Sequence, residues 1–202
     1  MLKILAVSDV ELPQMLSVEY LDRSYADTDV LISCGDMPAA YLDFIGSALS
    51  LPLFYVRGNH DTNYIPPDPG GIDLNRRVQK YQGYTLAGLE GSIRYNDGAI
   101  QYTEAEMLAN VLRLIPRLML RRWRLGYGVD VMVAHSPPKG IHDLPTDFAH
   151  RGFRSFLYLM RWAQPRYLIH GHVDTWDRRR PRETVFGNTT VLNINPCMVV
   201  DL

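Results

Sequence analysis

The sequence has few cysteines, little charge imbalance and no long apolar run. Its 202 residues contain two cysteines, Cys34 and Cys197, which are too few for a disulfide framework and are typical of a reducing cytoplasm. The net charge is −1, from 21 basic and 22 acidic residues, so overall charge does not favour binding to nucleic acid or anionic membranes. No run approaches the roughly 20 apolar residues that span a bilayer, and no signal-peptide pattern is present. We therefore expect a cytoplasmic protein.

The composition is typical of one folded domain. The chain is 47% hydrophobic and 21% charged, which provides enough apolar side chains for a sizeable core and excludes disorder. A chain of this length predicts a single domain spanning residues 1–202. The proline- and glycine-rich stretch 65–71 is short, and we interpret it as a surface loop rather than a linker.

Alternating strand and helix patterns predict a layered α/β fold with mixed sheets. Five short apolar runs, each ending in a polar cluster, predict buried strands at 3–7, 30–33, 53–56, 129–134 and 167–169. Helical patterns cover 16–26, 39–49, 104–124 and 153–163. Antiparallel strands are expected at 184–186, 190–194 and 198–201, with Gly187 and Asn188 as a hairpin turn between the first two.

Residue types that commonly bind metal ions follow all five predicted strands. In open α/β sheets ligands bind beyond the carboxyl ends of the strands, so we expect these side chains to meet in one site. Taken singly, Asp9 and Asp36 are also typical helix N-caps, but five such strand ends are not explained by capping. The candidate ligands are Asp9 and Glu11, Asp36, Asn59, His135, and His172 with Asp174.

These residue types suit two divalent cations that share a bridging carboxylate. Two cations about 3.5–4 Å apart hold the attacking and leaving oxygens during phosphoester hydrolysis. Glycines precede Asp36, Asn59 and His172, and a glycine lets the backbone turn sharply and approach a bound ion or phosphate. The sequence therefore indicates a site for two metal ions, of a kind that suits phosphoester hydrolysis.

The order of these motifs resembles that of the calcineurin-like metallophosphoesterases. Their usual pattern is D-x-H, G-D, G-N-H-D/E, H and G-H-x-H. The segments 91–104 and 134–152 look like those of the small phosphodiesterase branch of this superfamily. The corresponding motifs here are Asp9-Val10-Glu11, Gly35-Asp36, Gly58-Asn59-His60-Asp61, His135 and Gly171-His172-Val173-Asp174.

The resemblance implies a four-layer α-β-β-α sandwich with two mixed β-sheets. It also implies hydrolysis of a phosphate ester, with a phosphodiester favoured as the substrate, by in-line attack of a metal-bridging hydroxide. Asp36 would be the bridging ligand, and Asn59, His135 and His172 would complete one metal site. His60 would protonate the leaving oxygen or bind the phosphate, and Asp61 would orient His60.

The sequence departs from the family pattern at Glu11 and Asp174, where the family has histidines. The first metal site would then contain only carboxylates, from Asp9, Glu11, Asp36 and Asp174. Carboxylates favour Mn²⁺ or Mg²⁺, whereas Fe, Ni or Zn would also suit the histidine-containing site. The alternative interpretation is a catalytically weak or inactive binding scaffold on the same fold.

Three further residues are candidates for contact with a phosphorylated small molecule or phosphodiester: Arg94, His150 and Arg151. Packing is an alternative role for Arg94, and a cap at a helix start is an alternative for His150. His170, at the end of an apolar strand, is interpreted as a hydrogen-bonded core histidine, and Cys34 as a small buried residue. The sequence does not indicate an oligomeric state.

Arginines are concentrated in two late segments. The predicted helix 104–124 carries five in its second half, and Pro116 predicts a break or kink. We favour an amphipathic helix, packed through residues such as Leu112 and Met119, with a solvated basic face. Peripheral contact with an anionic lipid surface or nucleic acid is the alternative. The second cluster is expected at the site rim, where it would attract phosphate: Arg178, Arg179, Arg180 and Arg182.

Overall fold

The computed structural model describes residues 1–62, 69–177 and 179–202. Over these residues the chain forms four α-helices, one short 3₁₀ helix (Pro13–Leu16) and strands in two large sheets, numbered in chain order. The predicted loop at 65–71 lies largely outside the described residues. The helices are α1 (Val18–Tyr25), α2 (Ala39–Leu49), α3 (Glu104–Leu125) and α4 (Arg154–Ala163).

The first large sheet contains the N-terminal strands and the last strand of the chain. Its members are β1 (Lys3–Val7), β2 (Val30–Ser33), β3 (Leu53–Tyr55), β4 (Ile72–Asp73) and β13 (Cys197–Asp201). The spatial order is β13-β1-β2-β3-β4. All neighbours in it are parallel except β13, which is antiparallel to β1.

The second large sheet is also mixed. Its order is β11-β12-β10-β9-β6-β5, with a parallel centre and antiparallel pairs at both edges. A separate pair joins β7 (Ser92–Ile93) to β8 (Gln101–Tyr102). The members of the second sheet are β5 (Val78–Tyr81), β6 (Tyr84–Leu89), β9 (Val131–Ala134), β10 (Tyr167–His170), β11 (Glu183–Phe186) and β12 (Thr189–Asn193).

Three apolar layers hold the two sheets and the helices together. Between the sheets, Ile4 and Ile32 of the first pack with Val133 and Ile169 of the second. Successive strand residues point to opposite faces, so Leu5 packs instead with the helices α1 and α2. A third layer lies between the second sheet and helices α3 and α4. The predicted four-layer α-β-β-α sandwich with two mixed sheets is confirmed.

Helix α3 runs unbroken through Pro116, so the predicted break is wrong. A capping box starts the helix, in which Thr103 accepts from the backbone of Glu106 and the Glu106 side chain accepts from the backbone of Thr103. Buried Leu114 and Leu118 pack on either side of the proline. This tertiary packing outweighs the local cost of the proline in the helix interior.

The C-terminal strands follow the prediction in part. Gly187 and Asn188 join the antiparallel strands β11 and β12, which confirms the hairpin. However, β13 leaves this sheet and pairs with β1 in the other one. The strands from β4 to β8 have no counterpart in the sequence prediction. Within the described residues, we find no helix whose length and apolar character would let it cross a bilayer.

Candidate metal centre

The carboxyl ends of five parallel strands meet at one edge of the sandwich. Strands β1, β2 and β3 lie side by side in the first sheet, and β9 and β10 in the second. The metal-binding atoms of four side chains that follow these strands all lie within 4.8 Å of one another. The four residues are Asp9, Asp36, His135 and His172.

The imidazole of His135 is fully buried at the centre of this cluster. Its Nδ1 donates to the backbone carbonyl of Cys34 at 2.8 Å, which directs Nε2 toward Asn59 Oδ1 at 3.1 Å and Asp36 Oδ2 at 3.3 Å. Cys34 itself is buried, as predicted. A carbonyl that fixes one ring nitrogen while the other faces oxygen ligands is the usual environment of a metal-binding histidine.

The electrostatics of His135 and Asp36 are those of an ion pair. Burial opposes charge on both groups, but their mutual attraction and hydrogen bonding prevail. The pKa of His135 rises to about 9, and the pKa of Asp36 falls to about 2. The protonated imidazole of His135 thus places a positive charge among oxygen atoms, at the point where the sequence predicts a cation.

His172, which follows β10 beside β9 in the same sheet, is held in a similar way. Its Nε2 donates to the backbone carbonyl of Ala149 at 2.8 Å, which leaves the lone pair of Nδ1 available as a ligand. Burial lowers the pKa of His172 to about 3, so the ring is neutral. The backbone N–H of His172 donates to Asp9 Oδ2 at 2.8 Å, and this bond joins the loops after β10 and β1.

Asp9 and Asp36 lie in loops rather than at helix caps. Ser17 caps α1 and α2 begins after Pro38, so the capping interpretation does not apply to either carboxylate. Asp9 accepts a hydrogen bond from Ser8 Oγ. Burial raises the pKa of Asp9. A divalent cation would offset this burial cost, because it favours the ionised carboxylate.

Three of the four clustered residues have left-handed backbone conformations. The φ angles are 66° at Asp9, 55° at Asp36 and 65° at His172. Non-glycine residues rarely adopt this region, and such strain is concentrated at functional sites. The rest of the fold therefore holds these backbones in place so that the side chains converge.

Position 58, the first of the GNHD motif, requires a glycine because it lies against Asp36. A Cβ atom added at Gly58 would overlap Oδ1 of Asp36 and lie 2.6 Å from its backbone nitrogen. The expected close approach of the backbone at this glycine is therefore present.

Asn59 and Asp61 have separate structural tasks. Asn59 Nδ2 donates to the hydroxyl of Tyr95 at 3.1 Å, and its Oδ1 faces His135. Asp61 Oδ2 accepts the backbone N–H groups of Asp36 and Gly58, each at 2.7 Å. In the described part of the chain the carboxylate of Asp61 has backbone partners rather than His60, and burial raises its pKa to about 6. Asp61 therefore positions the loops, whereas the resemblance implied that it orients His60.

The cluster opens into a cavity of about 390 Å³. Its wall includes the exposed side chain of His60, whose backbone N–H donates to Asp36 Oδ1 at 2.7 Å. Asp174 also lines the cavity and is exposed at its rim. The lining residues are Asp9, Asp36, Asn59, His60, Tyr95, Ala149, His150, His172 and Asp174.

His150 faces the cavity as a member of a histidine–aspartate pair. Its Nδ1 donates to Asp147 Oδ2 at 2.7 Å, and its ring centroid lies 4.9 Å from that of His172. Helix α4 is capped at Phe153, so His150 does not cap it. Sequence reasoning missed Asp147, and the spacing D-x-x-H was the available signal.

Three predicted site residues do not join the cluster. Glu11 is exposed, because the tight turn at 8–10 sends the chain away into the 3₁₀ helix. Arg94 pairs with Glu106 at 3.1 Å and donates to the carbonyl of Gln101, which is the packing role considered for it. Arg151 lies over the ring of Phe148, 4.7 Å from the ring centroid, and lines a different cavity.

A groove continues from the site past Asp174. A cavity of about 260 Å³ shares Asp174 with the site and includes Arg180 and Arg182 in its wall. Both arginines also line a third cavity, of about 370 Å³, beside the exposed ring of Trp176. Arg182 is tied to backbone carbonyls, and Arg179 pairs with Asp177 at 2.9 Å. Arg178 lies outside the described residues.

The donor set fits a divalent cation. Two carboxylates, two imidazoles and the amide oxygen of Asn59 are all ligands that Mn²⁺, Fe, Zn and Ni accept. Both imidazoles are fixed by carbonyl groups that leave one nitrogen free to face the cluster. The carboxylates add the negative charge that holds a cation.

Comparisons with known proteins show similarity at the level of structure. No protein-family model matches the sequence, and a search of curated proteins gave no match. The crystal structure of TT1561 from Thermus thermophilus has a TM-score of 0.62 and 18% identity, over 95% of this chain and 88% of that one. GAP50, the anchor in the inner membrane complex of Plasmodium, has a TM-score of 0.53 and 13% identity, over 95% and 70% of the two chains. The chain adopts the calcineurin-like phosphoesterase fold.

Proposed function

We propose that this protein is a divalent-metal-dependent phosphoesterase that acts on phosphodiesters. The observation that carries the proposal is the environment of His135. Its Nδ1 is anchored by a carbonyl, and its Nε2 faces oxygens of Asn59 and Asp36. A buried imidazole aimed at a carboxylate and an amide oxygen suits a cation better than it suits any catalytic step of its own.

The proposed ligands of a first ion are Asp9, Asp36, His135 and His172, with the amide oxygen of Asn59. The second ion that the resemblance implies would draw on Asp9, Asp36 and Asp174. We leave Glu11 out of this ligand set because it is exposed and stands apart from the cluster. The carboxylate-rich position favours Mn²⁺ or Mg²⁺, and the histidine-containing position also suits Fe, Ni or Zn.

When bound, the ions would supply positive charge to the phosphoryl oxygens and lower the pKa of water. The protein's own groups then bind and orient the ester. His60 and His150 lie on the cavity wall, where their imidazoles would donate hydrogen bonds to a phosphate. We assign the proton for the leaving oxygen to His60. Asp147 fixes the ring of His150, and this supports our assignment of His150 as a phosphate-binding group.

The groove past Asp174 is where we place the part of the substrate beyond the reacting phosphate. Arg180 adds positive charge along it, which would attract a phosphorylated molecule. The open rim would admit phosphodiesters of varied size. Both cysteines are free thiols, which fits the cytoplasmic setting that we propose.

The test is metal-dependent hydrolysis of bis(p-nitrophenyl) phosphate by the full chain. We expect turnover with Mn²⁺, and a fall of 100-fold or more in kcat/KM, an order-of-magnitude figure, for Asp36→Asn. His60→Ala should lower kcat by roughly 10²–10⁴-fold with little change in Mn²⁺ affinity. Arg94→Ala is the control, because Arg94 pairs with Glu106 away from the cluster. Full activity in Asp36→Asn would refute the proposal.

A binding scaffold on the same fold is the second candidate function. The observation that favours it is the position of Glu11, which leaves the carboxylate-rich metal site short of one predicted ligand. Turnover of the diester distinguishes the two functions. A scaffold would bind Mn²⁺ or remain metal-free, and would not turn over the diester with Mn²⁺, Mg²⁺, Ni²⁺ or Co²⁺.

A further inference from the structure

Large apolar side chains are exposed along the outward side of helix α3. The inward side is formed by buried residues such as Met107, Val111 and Leu118, which pack on the second sheet. Trp123 is 84% exposed and Leu120 is 52% exposed. We define the α3 outer strip as Leu112, Met119, Leu120 and Trp123.

These four residues share one face of the helix. At 3.6 residues per turn they fall within a sector of about 100°, and they extend over roughly 16 Å of the helix axis. The sequence pattern predicts core packing for Leu112 and Met119 and a solvated basic face. That assignment is wrong for both residues, because Leu114 and Leu118 occupy the positions that face the core. A contiguous exposed apolar face of this kind marks an interaction site.

Arginines border the strip. Residues 107–125 contain five arginines and no acidic residue. Arg121 pairs with Asp130 at 2.6 Å, and Arg122 donates to carbonyls of α4. The other three are exposed and have no ionic partner in the part of the chain that the structure describes. They follow one edge of the strip: Arg113, Arg117 and Arg124.

A second exposed tryptophan lies at the same end of the layer. Arg122 Nη1 donates to the carbonyl of Trp162 at 2.7 Å, so the C-terminal ends of α3 and α4 are adjacent. The ring of Trp162 is exposed and stacks on Tyr158, with the ring centroids 5.5 Å apart. Aromatic side chains with a polar edge are characteristic of the membrane–water interface.

We propose that the α3 outer strip binds an anionic lipid surface, with α3 lying in the plane of the interface. The apolar side chains would enter the boundary between headgroups and acyl chains, and the arginines would contact lipid phosphates. A second copy of the chain is disfavoured by charge, because a two-fold contact would place the arginines of both copies at one interface. The strip also lies on a single convex helix, which suits a flat surface.

This orientation leaves the metal centre accessible. The strip ends at Trp123, near the end of α3 that leads into the start of β9. The metal centre lies beyond the other end of β9, where His135 is located. Lipid binding is therefore independent of the proposed hydrolysis, and either proposal can fail without the other.

The test is co-sedimentation of the full chain with vesicles of phosphatidylcholine, with and without phosphatidylglycerol. We expect binding that requires phosphatidylglycerol and weakens at high salt. Trp123→Ser with Leu120→Gln should lower the partition coefficient at least tenfold. Arg117→Gln should lower it about fivefold, since one basic residue near the surface contributes about 1 kcal/mol. Trp176→Ser is the matched control, an exposed tryptophan outside the strip that should bind like wild type.

Two results would overturn the proposal. The first is that the Trp123→Ser, Leu120→Gln variant binds vesicles as strongly as the wild type, or that the wild type shows no preference for anionic vesicles. The second is that the wild type does not bind vesicles but forms a dimer in analytical ultracentrifugation, and that this variant abolishes the dimer. That result would assign the strip to contact with a second copy of the chain. Circular dichroism and thermal unfolding of each variant verify that the fold is intact, which we expect because the substituted side chains are exposed.

Discussion

The carboxylate of Asp61 accepts a hydrogen bond from the backbone N–H of Asp36 at 2.7 Å. The same oxygen accepts from the backbone N–H of Gly58 at 2.7 Å. One buried side chain thus joins the loop after β2 to the loop after β3. Since those loops carry Asp36 and Asn59, the geometry of the candidate metal centre depends on Asp61 without any contact between Asp61 and the ion.

Replacing Asp61 should therefore weaken metal binding indirectly. Asp61→Ala leaves two buried N–H groups without a partner, at a cost of about 1–3 kcal/mol each. We expect lower stability and a loss of roughly 10–100-fold in Mn²⁺ affinity. Asp61→Asn retains an acceptor oxygen of the same shape and should have a smaller effect on both. Thermal unfolding and titration calorimetry measure the two quantities, and equal behaviour of the two variants would contradict this positioning role.

A methyl group at Gly58 should disrupt the same loop. The added Cβ would overlap the Asp36 carboxylate, so Gly58→Ala must displace a candidate ligand. We expect loss of Mn²⁺ binding and destabilisation of roughly 1–3 kcal/mol from overpacking. Gly46→Ala is the control, because its Cβ would lie 3.4 Å from the nearest atom, within ordinary contact. If Gly58→Ala binds Mn²⁺ like wild type, the close approach of this glycine to Asp36 is not required for metal binding.

Glu11 and Asp174 should differ sharply in their effect on metal binding. Asp174 lines the cavity, whereas Glu11 is exposed apart from it. We expect Asp174→Asn to weaken binding of a second Mn²⁺ by roughly tenfold or more, and Glu11→Gln to leave metal content unchanged. Metal content after dialysis, measured by atomic absorption, compares the two. A loss of metal in Glu11→Gln would show that this residue is a ligand after all.

Stability should fall in mild acid because of a pair of neutral histidines, the half-buried His142 and the buried His170. Thr184 donates to His142 Nε2, His142 Nδ1 donates to His170 Nε2, and His170 Nδ1 donates to the carbonyl of Gly171. The core position predicted for His170 is confirmed. In this arrangement neither ring accepts another proton without losing a hydrogen bond. Burial accordingly lowers the pKa of His142 from 6.5 to about 4.

The sign of this effect follows from linkage. Between pH 6.5 and about 4 the unfolded chain binds a proton at His142 that the folded chain does not, so the free energy of unfolding decreases as pH falls. His142→Asn removes the titrating group and tolerates the φ of 61° at this position. The free energy of unfolding, measured with urea at a series of pH values, should therefore depend less steeply on pH in the variant than in the wild type. A slope identical to that of wild type would contradict the neutral state of His142.

The sequence predicted the central strands and the convergence of the ligands well. The bounds predicted for β1, β2 and α2 equal those observed. Apolar runs that end in polar clusters delimit the two strands clearly. The cluster of Asp9, Asp36, His135 and His172 followed from a topological rule, that the carboxyl ends of parallel strands share an edge.

The remaining features depend on contacts that no local pattern encodes. Strands β4, β7 and β8 have two residues each, and β5 is a partly exposed edge strand, so none has a periodic signal. The partners of His135 and His172 are backbone carbonyls from distant loops, which residue types do not reveal. Periodicity identified α3 as amphipathic but did not establish which apolar residues face the core.

The proposed function depends on a divalent cation held by Asp9, Asp36, His135 and His172. A crystal soaked in Mn²⁺, with diffraction recorded at the manganese absorption edge, tests this claim. We expect an anomalous peak among these four side chains, with His135 bound through Nε2 and His172 through Nδ1. Crystals that still diffract well but give no anomalous peak at this cluster would show that these four side chains do not bind a divalent cation.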